Sequence, residues 1–265
     1  MSLPTVIGFV LALLLFIGSI VESTTNFKIF LHLTGFLMVI GGTLAASFVA
    51  FEARYVKLAL KGISAIFFSP RVARGMLTNE VARVIRWGYM MQKSGIPAIE
   101  ADVKSLKGQD AFLSFGVQLV ISGYSGAEVR EMLDNQIATS FQRNTIQVEI
   151  IKYIASNAPA FGMMATLVGL VIMLDNMGSD PSKLGPGMAV GLLGTLYGVL
   201  LARLVMMPAA NKAFQRESII RFRNMLVAEG LSMLADRKSP RFIQDAMNSY
   251  LDPAIHFDID KAPKK

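Results

Sequence analysis

The chain has no cysteine and only two histidines, His32 and His256, among its 265 residues. The first absence excludes a disulfide framework, a CxxC redox pair and a thiolate metal site. The second leaves too few imidazoles for a histidine-rich zinc or iron site within one subunit. No GxxxxGK[ST] loop, HExxH helix or GxSxG elbow occurs, so the chain is not read as an enzyme and no cofactor is expected. The net charge of +7 comes without a basic–aromatic cluster or a nucleic-acid-binding motif, so nucleic acid is not an expected partner.

Charge is also missing locally. Four apolar runs, Leu3–Val21, Ile29–Phe51, Tyr153–Leu174 and Leu184–Met207, contain no Asp, Glu or Lys, and only the last contains an arginine, Arg203. Each has about the 20 residues that a helix needs to cross a hydrocarbon core of ~30 Å. A mean hydropathy of +0.48 and 53% apolar residues agree with a membrane protein. The first run lacks a basic flank and a small-residue cleavage pattern, so it is read as a retained membrane helix and not a signal peptide. The fold expected is an all-α membrane protein. It has four transmembrane helices, a helical cytoplasmic domain between the second and third, and a helical C-terminal tail. The boundaries are 1–51 for helices 1 and 2, 52–150 for the intervening domain, 151–208 for helices 3 and 4, and 209–265 for the tail.

Basic residues collect on the cytoplasmic side of bacterial membranes. Segment 52–152 holds 13 Lys and Arg and segment 208–265 holds 10, whereas the short connections 22–28 and 175–183 hold one each, Lys28 and Lys183. The long segment and both termini are therefore expected inside, in an inner membrane.

Between the pairs, Val81, Val84, Ile85 and Met91 recur at helical spacing after Thr78-Asn79-Glu80, read as a cap, and Gly95-Ile96-Pro97 should end that helix. Phe112, Phe115, Leu119 and Val120 form a second apolar face, closed by Gly123 and Gly126. Ser125 caps the next helix, with Glu128 three residues on. Val129, Leu133, Ile137 and Phe141 then lead without a break toward the third run, which predicts one long helix. After Pro208 a further helix continues through Phe214, Ile219, Phe222, Leu226 and Leu231, and residues from Asp258 onward are read as frayed.

Small residues dominate the last two runs. Gly187, Gly191, Gly194, Gly198 and Ala202 share one helical face, as do Gly162, Thr166, Gly169 and Met173. Small faces let membrane helices approach closely. Thr166 and Thr195 lie on or beside these faces. Each hydroxyl either bonds its own helix or lines a polar path for a cation. Pro159 interrupts a helix that otherwise continues, and Pro208 either ends the fourth span or marks mobile backbone. Arg203 and His32 are read as interfacial residues.

These motifs resemble those of the MotA/PomA flagellar motor stator family. Ala158-Pro159-Ala160-Phe161-Gly162-Met163-Met164-Ala165-Thr166-Leu167-Val168-Gly169-Leu170 is similar to the third membrane helix of that family. Gly185-Pro186-Gly187-Met188-Ala189-Val190, with Leu193-Gly194-Thr195-Leu196-Tyr197-Gly198, is similar to the fourth. Gly41-Gly42-Thr43-Leu44 resembles the second, and Ser239-Pro240-Arg241 with Tyr250-Leu251 the tail.

The resemblance implies a pentameric ring around two single-span MotB/PomB-like partners, each of which supplies the membrane aspartate. Ion flow then drives torque on the rotor protein FliG. Pro159 and Pro208 match the two prolines needed for torque. Thr195 matches a threonine shared by proton- and sodium-driven members, and Thr166 one implicated in the sodium type. A second sodium-type threonine is replaced here by Gly194, which favours H+ over Na+. Lys93 and Glu100 match rotor-contact charges. The arginine usual before Lys93 is Gln92, which leaves Arg83 and Arg86 as alternates. An ExbB/TolQ-type energy-transducing unit and a self-sufficient channel or carrier are the competing readings.

Overall fold

The computed structural model describes residues 3–64, 74–104, 110–178 and 184–261, and all regular structure among them is helical. The chain divides into two compact units, residues 1–69 with 144–215 and residues 70–143 with 216–265.

The first unit carries the membrane helices. They are α1 (Leu3–Ser23), α2 (Leu33–Ala50), the second part of α7 (Gly126–Asn176) and α8 (Leu184–Leu200) with its π-helical continuation Leu201–Met206. All four are long and apolar enough to cross a membrane. The apolar window of α1, Val6–Ser23, contains no fully buried residue within this chain. The second helix starts later than the apolar run suggests. Phe27–Phe30 forms a 3-10 turn, and His32 in an extended conformation precedes the helix. The phenol of Tyr197 accounts for the break, because it accepts the His32 N–H (2.9 Å) and donates to the Phe30 carbonyl. Residues Gly35, Val39, Thr43 and Ser47 form the buried face of α2. Thr43 and Ser47 return their hydroxyls to the carbonyls of Val39 and Thr43, so neither is left unsatisfied in an apolar setting.

The helix α3 (Ala53–Ser64) follows α2 after two residues. Its Val56 and Ala59 pack with Val148, Ile150, Ile151 and Ile154 of α7 and with Ala209 and Ala210 of α9 (Met207–Ala235).

The second unit contains α4 (Arg74–Ser94), α5 (Ile96–Lys104), α6 (Ala111–Ile121), the first part of α7, the rest of α9, and α10 (Pro240–Asn248). Trp87, Leu113, Leu133, Leu226, Leu231, Ile243 and Met247 are among its largest buried side chains. Gly95 ends α4 at φ 71°, a left-handed conformation that needs no Cβ, and Pro97 starts α5 in its first turn. The Ser125–Glu128 capping box forms as expected. Ser125 N–H and Oγ both lie 2.8 Å from Glu128 Oε2, which holds the Glu128 carboxyl below its usual range through the backbone bond first and the hydroxyl second. The long helix also forms as expected, 51 residues from Gly126 to Asn176, or ~77 Å.

Two expectations fail here. Thr78-Asn79-Glu80 does not cap α4, which begins at Arg74. The Glu80 carboxylate is engaged elsewhere: it is 2% exposed and accepts Arg223 Nη2 at 2.6 Å and Arg83 Nη1 at 2.8 Å. Arg223 also pairs with Asp110, the N-cap of α6. Residues 258–261 are not frayed. Ile259 N–H donates to Gln244 Oε1, and Asp260 pairs with Arg241 at 2.8 Å, which raises the Arg241 pKa through that bond. Residues 262–265 lie outside the described residues.

Candidate functional site

The two small-residue faces meet each other. A Cβ built on Gly198 would lie 2.5 Å from the Ala158 carbonyl oxygen, and one on Gly169 would lie 2.5 Å from the Gly187 oxygen. One on Gly162 would lie 2.8 Å from the Gly194 oxygen, and one on Gly191 3.0 Å from Thr166 Cα. The helices α7 and α8 are therefore in backbone contact from position 158 to position 173, a separation that only glycine permits. Gly35 of α2 adds a third backbone, 3.3 Å from the Val190 oxygen by the same construction.

Thr166 and Thr195 are held together inside this contact. Their hydroxyl oxygens are 2.7 Å apart. Thr166 Oγ1 is also 2.9 Å from the Gly191 carbonyl and 3.2 Å from its own-helix carbonyl at Gly162, and Thr195 Oγ1 is 3.4 Å from that same oxygen. Two hydroxyls and two carbonyls from two helices thus form one cluster of neutral oxygens. A cleft of about 60 Å³ lined by Thr166, Leu170, Gly187, Met188, Gly191 and Leu192 reaches it, large enough for a water molecule. Both expected hydroxyls come together and bond across the helices, and Thr166 also bonds back to its own helix. The carbonyls of Gly162 and Gly191 were not legible as members, since a helix carbonyl joins such a cluster only where a glycine face admits a neighbour.

Gly194 sits beside Thr195 but faces elsewhere. A Cβ there would lie 2.4 Å from Ala165 Cβ, so the position is filled by helix contact and has no room for a hydroxyl-bearing side chain. Pro159 lies inside α7, where it gives no N–H to the Ala155 carbonyl, and its Cα lies 3.1 Å from a Cβ built on Gly198. Pro208 does not end a helix. The segment before it widens to π geometry over Leu201–Met206, with Met207 N–H bonded to the Ala202 carbonyl, and α9 continues through the proline. A proline ring collides with the carbonyl four residues earlier, and a widened turn relieves that collision. Arg203 lies within the π segment and is exposed.

Lys93 and Glu100 belong to the other unit. Lys93 is in the last turn of α4 and Glu100 is on α5; both are exposed. The two helices are joined by Asp102, which accepts Trp87 Nε1 at 2.7 Å and Arg86 Nη2 at 2.9 Å. That use of Arg86 and the Glu80 pairing of Arg83 are not foreseen by spacing. Among the described residues no cluster of three or more His, Cys, Asp or Glu side chains is placed to hold a metal.

Residues 104–223 match the model of the MotA/TolQ/ExbB proton channel family. The protein YtxD of Bacillus subtilis is 32% identical over 92% of this chain and 88% of its own. Motility protein A of Cereibacter sphaeroides is 30% identical over 95% and 96%. The solved structure of C. jejuni MotAB superposes with a TM-score of 0.84 over the whole of both chains at 20% identity, which shows the same fold. An all-α chain with four membrane helices, a glycine-mediated α7–α8 contact and these relatives belongs to the MotA/PomA family of flagellar stator proteins, within the MotA/TolQ/ExbB proton channel family.

Proposed function

We propose that this chain is the ring subunit of an ion-driven flagellar stator in the bacterial inner membrane, with both termini in the cytoplasm. Five copies surround two MotB/PomB-like single-span proteins, which bring the membrane aspartate that the apolar runs lack. Ion passage past that acid turns the ring against the rotor protein FliG, which Lys93 and Glu100 engage. The single observation that carries this reading is the Thr166–Thr195 oxygen cluster, polar but uncharged, between two apolar runs that hold no acid of their own. A carboxylate in the bilayer is costly unless paired or protonated, so a borrowed acid needs such neutral partners. The similar C. jejuni structure is of MotAB, which supports a second polypeptide here as well.

Protons are favoured over sodium. Oxygens that share a hard cation at about 2.3–2.6 Å stand roughly 3.3–3.7 Å from one another. The 2.7 Å between Thr166 and Thr195 is a hydrogen-bond distance, suited to a proton relay. Gly194, closed by Ala165, supplies no further ligand.

The test is swimming. A strain carrying Thr195→Val is expected to insert the protein normally and to lose motility; unimpaired swimming would refute the ion-path role. Wild-type speed is expected to be insensitive to external sodium and to collapse with a proton uncoupler. The opposite pattern would assign sodium.

A further inference from the structure

Among the described residues, two side chains of α8 are hydrogen-bonded to other elements, Thr195 and Tyr197. Two positions along a helix are about 200° apart around it, so these side chains leave opposite sides of α8. Thr195 meets α7, and Tyr197 meets the start of α2. Much of the remaining contact is backbone against backbone, through Gly162, Gly169 and Gly191 toward α7 and through Gly35 toward α2. Contacts of that kind fix how closely two helices approach. They oppose sliding or turning only weakly, because few side chains interlock.

Tyr197 reaches backbone that the helix ladder does not satisfy. His32 is extended (φ −119°, ψ 108°), and its side chain gives α2 no cap. The half-buried phenol accepts the His32 N–H at 2.9 Å and donates to the carbonyl of Phe30, the last residue of the 3-10 turn. One hydroxyl thus satisfies two backbone groups at the end of a membrane span, where an unmade hydrogen bond is costly. The Phe36 ring, in the first turn of α2, stands edge-on to the Tyr197 ring at 6.1 Å and holds its direction. Both hydrogen bonds are directional, so they set the height and rotation of α8 two residues from Thr195.

Resting on the reading of Thr166 and Thr195 as ion-path groups, we propose that Tyr197 is a positioning residue for that path. Its phenol fixes α8 to the turn before α2 and so keeps Thr195 within hydrogen-bond distance of Thr166. The hydroxyl pair tolerates little displacement. Its oxygens are 2.7 Å apart, and a helix shift of about 1 Å carries them out of the hydroxyl range. Movement of the Phe27–Phe30 turn is passed to Thr195 through the same phenol, which links the α1–α2 connection to the ion path.

The chain has no native cysteine, so Thr166→Cys with Thr195→Cys in the full chain reports the α7–α8 register through the rate of disulfide formation in membranes under mild oxidation. Adding Tyr197→Phe, which removes the hydroxyl and keeps the ring, is expected to slow that rate about five-fold, the shift equal to one hydrogen bond. An unchanged rate, or no disulfide with Tyr197 in place, overturns the proposal. With Thr166 and Thr195 intact, Tyr197→Phe is read in cells by the stepwise gains in motor speed as units join. The expected result is a normal number of smaller steps. Fewer steps of normal size would mean a merely structural role and would overturn the proposal. Cross-linking needs no motor, so it is decided separately from the stator reading, which Thr195→Val tests. If Tyr197→Phe does not insert, amide exchange in the wild-type chain decides. The His32 N–H, outside any helix, is expected to be protected, and a freely exchanging His32 amide overturns the proposal.

Discussion

A single methyl group at position 198 tests whether α7 and α8 touch through their backbones. In Gly198→Ala the new Cβ would lie 2.5 Å from the Ala158 oxygen and 3.1 Å from the Ala158 carbon and Pro159 Cα, where ordinary contact begins at 3.4 Å. All three atoms are backbone, so no rotamer change relieves the overlap and α8 must retreat by about 0.9 Å, a gap of the size that forfeits a quarter to a half of a van der Waals well. Overpacking of this kind costs about 1–3 kcal/mol. The control is Gly18→Ala in α1, where a Cβ meets nothing within 4 Å and alanine improves helix propensity by about 1 kcal/mol. Thermal unfolding of the two purified variants, followed by circular dichroism, is expected to separate them by several degrees, with Gly18→Ala the more stable. The displacement also reaches the hydroxyl pair, since Thr195 lies one turn from Gly198 and shares a 2.7 Å bond with Thr166. Swimming is therefore expected to fall in Gly198→Ala and to persist in Gly18→Ala. Equal melting temperatures and equal motility would refute the backbone contact.

Two further outcomes follow from the second unit. Arg223→Met leaves the Glu80 carboxylate buried without its main partner and is expected to destabilise by about 3–5 kcal/mol in chemical denaturation, whereas Arg223→Met combined with Glu80→Leu should recover most of that loss; additive losses in the pair would show that the charges do not interact. Glu128 has its pKa lowered from its ordinary 4.5 by the bonds to Ser125, so its contribution is present above pH 4.5 and is lost as pH falls through the lower folded-state value. The melting temperature of the wild-type chain should therefore drop more steeply below pH 4.5 than that of Glu128→Gln; parallel curves would mean that the capping box adds nothing.

The membrane helices were legible because hydrocarbon tolerates few alternatives: an uncharged run of ~20 residues has nowhere else to satisfy its backbone. The long α7 was legible for the same kind of reason. The period of Val129, Leu133 and Ile137 runs into the third apolar stretch with no glycine, and Pro159 is accommodated within the helix. The start of α4 was not legible. Thr78-Asn79-Glu80 carries the composition of a cap, but composition does not say that Arg223, 143 residues later, will claim the acid. The start of α2 was hidden similarly, since it depends on a phenol 165 residues from His32. Pro208 carries a readable signal with more than one outcome. The missing N–H announces a disturbed turn, but a helix absorbs it by ending or by widening, and here it widens over Leu201–Met206, where Ala202 and Met206 are buried.

At the site itself, residue type was readable and direction was not. The spacing of Thr166 and Thr195 places both near the glycine faces, and the structure makes them one unit. Each hydroxyl has one proton to give and accepts up to two. Across the 2.7 Å bond either Thr195 donates to Thr166, which then donates to the Gly191 carbonyl at 2.9 Å, or Thr166 donates to Thr195, whose acceptor at Gly162 is 3.4 Å away. The first order has the shorter bonds and leaves Thr195 Oγ1 as the acceptor end of the chain. A protonated acid brought to Thr195 would find that oxygen ready to accept, whereas an ionised one would need the chain to reverse and would draw the Thr195 proton out. On the proposed reading, the polarity of two neutral hydroxyls would follow the charge state of the partner's acid, and the Thr166–Thr195 cluster would add no charge of its own to trap the ion.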